Sequence, residues 1–462
     1  MSSFMEKKVI DVVEIEKHRK DPSLRSMGTI DITMMGIGAI VGSGILVLTG
    51  VVAATTSGPA VVFSFILAAL VCGLVGLCYA EVAATIPLSG SAYIYTYASM
   101  GKLIGYLTGW LLTGVYMTCV AAVASGWTGY FTSLLGGIGI VFPETLTKVP
   151  ADGGLVNLPG AIAVILVTII LSQGTKESKK FNNAMVGIKI FVILLFCVVA
   201  AFYIKPENWK PFAPFGIKGI LTGASTAFFA FIGFDILATS VEDVKDPQKD
   251  LPRGIIATLI ACVLLYVVVS LIMTGVLKYT ELNVPEAMSL VLESVGQNAV
   301  AGIVSLGAVI GLLAVLFALC YAVSRVVMSM SRDGLYPQGL AKLSSKDSPN
   351  VTIWLNGILC ALITGFFDIH FLVNISNSGM LIVYMLVCSS VILLRKLYPD
   401  LERSFKTPLV PFLPIVTILI LLFLFIRLPI EAFIPLIGWL AIGLVTFFLY
   451  ANKNSNKKVY NK

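Results

Sequence analysis

Two short stretches of this sequence hold more glycine than an apolar helix carries cheaply. Gly36-Ile37-Gly38-Ala39-Ile40-Val41-Gly42-Ser43-Gly44 places four glycines in nine residues. Phe228-Phe229-Ala230-Phe231-Ile232-Gly233-Phe234-Asp235 sets a glycine two residues before an acid. Each glycine costs about 1 kcal/mol in a helix interior. Unwound backbone inside a bilayer persists only where it lines a cavity or is buried in protein. A half-helix starting near Ser43–Gly44 offers free N–H groups and a positive dipole end, which suits a carboxylate. Broken carbonyls in the second stretch suit an ammonium group. A solute that carries both charges a few ångströms apart is an α-amino acid. The competing reading for the glycines is close helix packing, which the Gly38/Gly42 spacing also fits.

One further residue is expensive where it stands. Lys189 lies between MVGI and IFVILLFCVVAAF, about nine residues beyond Lys180 or roughly 13 Å at the ~1.5 Å rise of a helix. A lysine at bilayer depth costs roughly 2.5–3.5 kcal/mol, and this depth is too great for comfortable snorkelling. Such a lysine either exchanges its proton during a transport cycle or acts as a fixed structural cation. Asp235 is deep enough to respond to the second break. Asp31, Glu81, Arg332 and Asp333 fall near helix ends, where gating pairs and interface anchoring are both open. Arg325 is expected to face an inner vestibule, and His370 to sit at an outer turn.

The elements that must position these residues are membrane helices. Of 462 residues, 57% are apolar and 12% charged, against about 25% charged in a soluble domain; the mean hydropathy is +0.94. A bilayer core of roughly 30 Å needs about 20 apolar residues per helix. Twelve spans are predicted near 30–54, 60–86, 101–135, 158–173, 181–204, 217–241, 254–276, 299–330, 352–367, 373–395, 409–426 and 431–450. The two glycine breaks fall in the first and sixth. Five helices apart is the arrangement of two five-helix inverted repeats, with interrupted helices at corresponding places. The predicted division is a cytoplasmic N-terminal segment 1–29, repeats over 30–204 and 205–395, two added helices within 396–450, and a cytoplasmic tail 451–462.

Charge placement orients the chain. With the N-terminus inside, all but seven of the 32 Lys and Arg lie on the inner side. Lys148, Lys205, Lys210, Lys218, Lys278 and Arg427 lie outside and Lys189 within a span, which is the positive-inside pattern. The net charge of +7 has that cause and predicts no nucleic-acid partner. The polar first thirty residues predict no cleavable signal peptide, and the expected location is the cell membrane. Tyr93, Tyr95 and Tyr97 are expected to anchor an interfacial segment, loop 278–297 to form a surface helix, and the run Glu242–Gln248 to be a solvated loop. The eight cysteines fall in apolar runs without CxxC spacing and read as buried apolar side chains. With two histidines, no metal site is expected, and no cofactor. An enzyme would need HExxH, GxSxG or paired histidines, and none is present; nor is a Walker A motif. A nutrient sensor would carry an extra output domain.

GIGAIVGSGI with Gly58-Pro59-Ala60 behind it, YAEVAATIPLSGSAYIYTY, FFAFIGFD followed by VEDVKDPQKDLPRGI, and MSRDGLYP together resemble the bacterial amino acid–polyamine–organocation superfamily, and most closely its cationic amino acid transporter family. The likeness runs from about Leu24 to Tyr450. It implies an all-α, five-plus-five inverted-repeat fold of leucine-transporter type with two added helices, and substrate–proton symport. It places the substrate carboxylate at backbone amides matching Ile40, Ser43 and Gly44, within the run that includes Val41 and Gly42. It places the amino group at carbonyls matching Phe229, Ala230 and Ile232, and Lys189 where a sodium ion would otherwise sit. Close relatives carry two acids on the third helix in a GWDLxLEY pattern; here Gly109-Trp110-Leu111-Leu112-Thr113-Gly114-Val115-Tyr116 replaces both, with Leu111 and Val115. Burying a cationic side chain without a counter-charge is expensive. A neutral, aliphatic amino acid is therefore the expected substrate, with Val115, Tyr116, Phe231 and Leu319 completing the pocket. A cationic amino acid transporter, an exchanger, and a small single-helix membrane partner stay open.

Overall fold

Apolar runs this long bury their backbone polar groups only by closing them into helices, and helices are what the chain forms. The computed structural model describes residues 27–86, 90–174, 178–237, 244–246, 249–344, 348–403 and 405–454, without the side chains of 178–183. The predicted segment 1–29 up to residue 26, the tail from 455, and Glu242, Asp243, Pro247 and Gln248 lie outside the described residues. The described part of that last run is not solvated throughout: Val244 is fully buried and bridges to Met27.

The principal helices are α1 (Thr29–Ile40), α2 (44–57), α3 (Val61–Thr85), α4 (Ala92–Met100), α5 (Lys102–Gly136), α6 (Leu158–Ser172), α7 (Ser178–Ala201), α8 (Gly216–Ala227), α9 (Asp250–Val276), α10 (Ala287–Ser294), α11 (Asn298–Arg332), α12 (Asn350–Phe366), α13 (Ile369–Leu397), α14 (Phe412–Ile426) and α15 (Phe433–Thr446). Among the described residues, eight helical segments are long and apolar enough to cross a membrane. Thr29–Ile40, Leu158–Ser172, Asn350–Phe366 and Phe412–Ile426 are shorter apolar helices. Local caps set several starts: Asn157 Oδ1 accepts from Gly160 N at 3.2 Å and Asp368 Oδ1 from Phe371 N at 2.9 Å.

The bundle packs around α5 and α11, with α3, α9 and α13 against the broken helices. Small residues let the helices close on one another. Gly307 and Gly311, one turn apart on α11, receive Val192 and the stem of Lys189 from α7. On the other flank Trp110 and Trp439 stack at 4.6 Å, and each indole N–H donates to the other's carbonyl, at 2.8 and 3.0 Å. That reciprocal pair fastens α15 to α5.

Two expectations are revised by this packing. Tyr93 and Tyr95 do not anchor at an interface. Both are fully buried, and Tyr93 Oη donates to Asp333 at 2.5 Å, because α4 folds inward against α5 and α13 rather than lying flat. The short helix expected in loop 278–297 forms as α10, with Glu293 and Ser294 exposed, but it does not lie free on the surface: Ala287, Met288, Val291 and Leu292 pack on α11 and on α2 beyond the first break. Arg325, expected at an inner vestibule, lines a side cavity bounded by α6 and α12. Glu81 is a buried ion-pair centre. Arg395 grips it through two bonds of 2.8 Å, Arg403 stands at 3.6 Å, and Thr407 N donates at 2.6 Å. Asp31 is exposed and accepts from Gly28 N at 2.9 Å; Arg332 and His370 are exposed. All eight cysteines are buried and free.

Glu286, at the start of α10, is half-buried, and burial pushes its carboxyl above the usual carboxylate range. An acid raised in the docked state binds its proton more tightly there. Docking is therefore firmest below the ordinary glutamate value and weakens as pH rises through the raised one. Hydrogen exchange over 287–294, corrected for intrinsic rates, is expected to show greater protection at pH 5 than at pH 7.5, and Glu286→Gln to abolish the difference.

Candidate functional site

Helix α1 stops at Ile40. Val41 turns extended, with ψ at 90°, and the chain restarts at Gly44 as a wide turn closed by Leu46 N on Gly42 O at 3.0 Å. The amides of Gly42, Ser43 and Gly44 donate to no backbone carbonyl among the described residues. The interruption equally releases the carbonyls of Gly38, Ala39 and Ile40, whose helical partners would have been those amides. Two are taken by side chains from other helices. Lys189 Nζ, fully buried, donates to Gly38 O at 2.7 Å, and Tyr266 Oη donates to Ile40 O at 3.0 Å. A cation at the C-terminal end of α1 also meets the negative end of that helix dipole.

The second break faces the first. After α8 a tight turn over Phe228–Phe231 leads to Ile232, extended with ψ at 130°, and to Gly233 at φ +126°, a conformation L side chains rarely adopt. Phe229 O accepts from Ile232 N at 3.1 Å, and Ala230 O from Tyr266 Oη at 2.7 Å. The one hydroxyl of Tyr266 thus bridges carbonyls of both interrupted helices. Gly44 is glycine because Ala230 is there: a Cβ on Gly44 would sit 2.5 Å from the Ala230 methyl and 2.8 Å from Tyr266 Oη.

Between the breaks lies a narrow cleft, with about 280 Å³ of unfilled space when the open solvent at its mouth is counted. Ile40, Ser43, Gly44, Phe229, Ala230, Ile232 and Leu319 line it, as do Ala39, Cys119, Val123 and Val315, which sequence reasoning missed. The missed residues had a signal: Cys119 and Val123 follow Val115 at i+4 and i+8, and Val315 precedes Leu319 by four, so each shares a helix face with a named candidate. No charged side chain lines the cleft among the described residues.

Five predicted residues lie elsewhere. Val41 is fully buried in the turn; Gly42 abuts Val315 from behind; Phe231 packs edge-on against Tyr266, with ring centroids 5.0 Å apart. Val115 fills the space left by Gly379 on α13. Tyr116 donates through a short bond to Asp235. Asp235 is fully buried, accepts from Gly233 N at 3.2 Å and stands 3.4 Å from Tyr384 Oη. It therefore pins the second break from α5 and α13, and forms no ion pair with Lys189.

Paired interruptions on a bundle of apolar helices define a multi-pass membrane protein with a backbone-lined site at its centre. The chain belongs to the amino acid permease family, whose model matches residues 27–452. A methylthioribose transporter of Bacillus subtilis is 44% identical over 98% of this chain and 99% of its own length. A branched-chain amino acid permease of the same organism is 46% identical over 98% of each. A mouse cationic amino acid transporter is 35% identical over 82% of this chain and 61% of its own length. These relatives are transporters and not enzymes.

Proposed function

We propose that this protein is a secondary transporter of the cell membrane that imports a neutral, branched-chain amino acid together with a proton. The observation that carries the reading is the uncharged cleft between free amides of the first break and backbone carbonyls of the second, of which Phe229 O and Ala230 O each accept one hydrogen bond and keep a lone pair. The amides receive a carboxylate, the carbonyls an ammonium, and Val123, Val315 and Leu319 the aliphatic side chain. The branched-chain permease relative supports that class. Twelve crossings with both termini inside, arranged as two inverted five-helix halves plus two helices, accord with the helix positions and the charge bias. Lys189 and Asp235 are the proton-handling candidates, Lys189 first because it sits on a carbonyl that the break itself releases.

A second reading follows from the methylthioribose transporter relative. Methylthioribose is also uncharged, but it has no carboxylate to satisfy the three free amides. Competition against radiolabelled valine uptake in proteoliposomes, at two external pH values, separates the readings. Leucine is expected to compete at least about 100-fold better than arginine, since an unpaired buried guanidinium costs several kcal/mol. Uptake is expected to rise at the more acidic external pH. Stronger competition by arginine would overturn the neutral-substrate assignment, and uptake of radiolabelled methylthioribose with no uptake of valine would transfer the site to the second reading.

A further inference from the structure

A second cavity lies away from the breaks, where the ends of α6, α11 and α12 meet. It is a narrow crevice, with about 280 Å³ of unfilled space only when the open solvent at its mouth is counted, lined by Leu171, Tyr321, Ser324, Arg325, Ser348 and Ile353. Its polar groups are unusual for a membrane helix bundle. The Arg325 guanidinium stands 4.9 Å from the centre of the Tyr321 ring and forms no ion pair among the described residues. Ser348 is fully buried, lines the cavity, and its hydroxyl has no hydrogen-bond partner among the described residues. Ser324 donates instead to Cys320 O at 2.8 Å. A buried hydroxyl left unbonded costs about as much as a lost hydrogen bond. A guanidinium held on a ring without an acid has its planar fork available for an oxyanion.

The surroundings indicate which oxyanion. Ile170, Val351, Trp354 and Leu355, on the adjoining faces of α6 and α12, are 42%, 56%, 38% and 45% exposed, a belt that acyl chains would cover. Leu171 is one residue from the end of α6, Ser348 two before the start of α12, and Arg325 two turns from the end of α11. The cavity thus sits where the apolar belt gives way to polar helix ends, at headgroup depth. We propose that it binds the phosphate of a membrane phospholipid, with Arg325 and the Ser348 hydroxyl donating to the phosphate oxygens and the acyl chains lying along α6 and α12. The proposal holds whichever solute the central cleft carries.

Delipidated full-length protein in detergent, titrated with phosphatidylglycerol and read by thermal midpoint and by lipid adducts in native mass spectrometry, tests this. Wild type is expected to gain stability and retain the lipid, and Arg325→Gln to bind it roughly tenfold or more weakly. Ser348→Ala is expected to weaken binding by a smaller factor and serves if the arginine variant does not fold. Dioleoylglycerol, which has the chains without the phosphate, and inorganic phosphate, which has the anion without the chains, are expected to leave the midpoint unchanged. Equal phosphatidylglycerol binding by wild type and both variants would overturn the site. An equal response to dioleoylglycerol would overturn the role of the phosphate. An equal response to inorganic phosphate would overturn the lipid as its source.

Discussion

Lys189→Met is expected to collapse proton-driven accumulation of substrate to the equilibrium level while leaving substrate counterflow within several-fold of wild type. Methionine keeps the stem that fills the space beside Gly311, where a glycine Cβ would come within 3.0 Å of the lysine carbons. It removes the charge, the titratable proton and the donor to Gly38 O. An orphaned buried carbonyl costs about 1–3 kcal/mol, so some thermal destabilisation accompanies the change without unfolding the bundle. Lys189→Arg separates the two roles the residue can have. Arginine keeps the cation at the end of α1 but does not release its proton in proteins. If accumulation survives in the arginine variant, Lys189 is a fixed structural cation. If accumulation is lost in both while counterflow persists, it carries the coupling proton. Unchanged accumulation with methionine would move coupling to another group, with Asp235 the next to test.

Much of this site was legible because the residues that build it violate a helix's own preferences. Four glycines in nine residues, a lysine at mid-depth and a Gly-Phe-Asp at the sixth span are each costly, and cost is visible in one sequence. What was not legible depends on helix rotation. Val115 and Tyr116, apolar and aromatic, read as pocket residues in the sequence, yet the cleft is lined one turn further on, by Cys119 and Val123. Periodicity names a face, but a buried helix is apolar all round and does not say which face meets which neighbour. Tyr266 was invisible for a related reason. One tyrosine in an apolar run has an ordinary explanation as core, and its importance lies in two carbonyls, 36 and 226 residues away in sequence, that reach its hydroxyl together. The inward fold of Tyr93 was hidden because a tyrosine with one polar atom suits a membrane interface and a buried hydrogen bond equally well.

The contact between the two breaks gives the second large effect. Gly44→Val is expected to reduce substrate uptake by more than about 100-fold. A Cβ on residue 44 would meet Ala230 Cβ at 2.5 Å, Ala230 Cα at 2.7 Å and Tyr266 Oη at 2.8 Å. Two of those atoms belong to a chain segment rather than to the end of a flexible side chain, so relief requires the two interrupted helices to separate. Overpacking of this kind costs about 1–3 kcal/mol or more, and the separation would also turn the free amides of residues 42–44 away from the carbonyls opposite. Gly187→Ala is the matched control: it lies in α7, two residues before Lys189, and an added Cβ there meets nothing within 4 Å. It is expected to transport normally and to gain a fraction of a kcal/mol in helix propensity, up to about 1 kcal/mol. The double change Gly44→Ala with Ala230→Gly removes the methyl–methyl clash but not the approach to Ala230 Cα. Its uptake should therefore lie between wild type and Gly44→Ala alone, a coupling that only residues in direct contact produce. Wild-type uptake by Gly44→Val, measured beside a ligand-induced thermal shift to confirm that the variant still folds, would mean that the solute does not pass between these two ends.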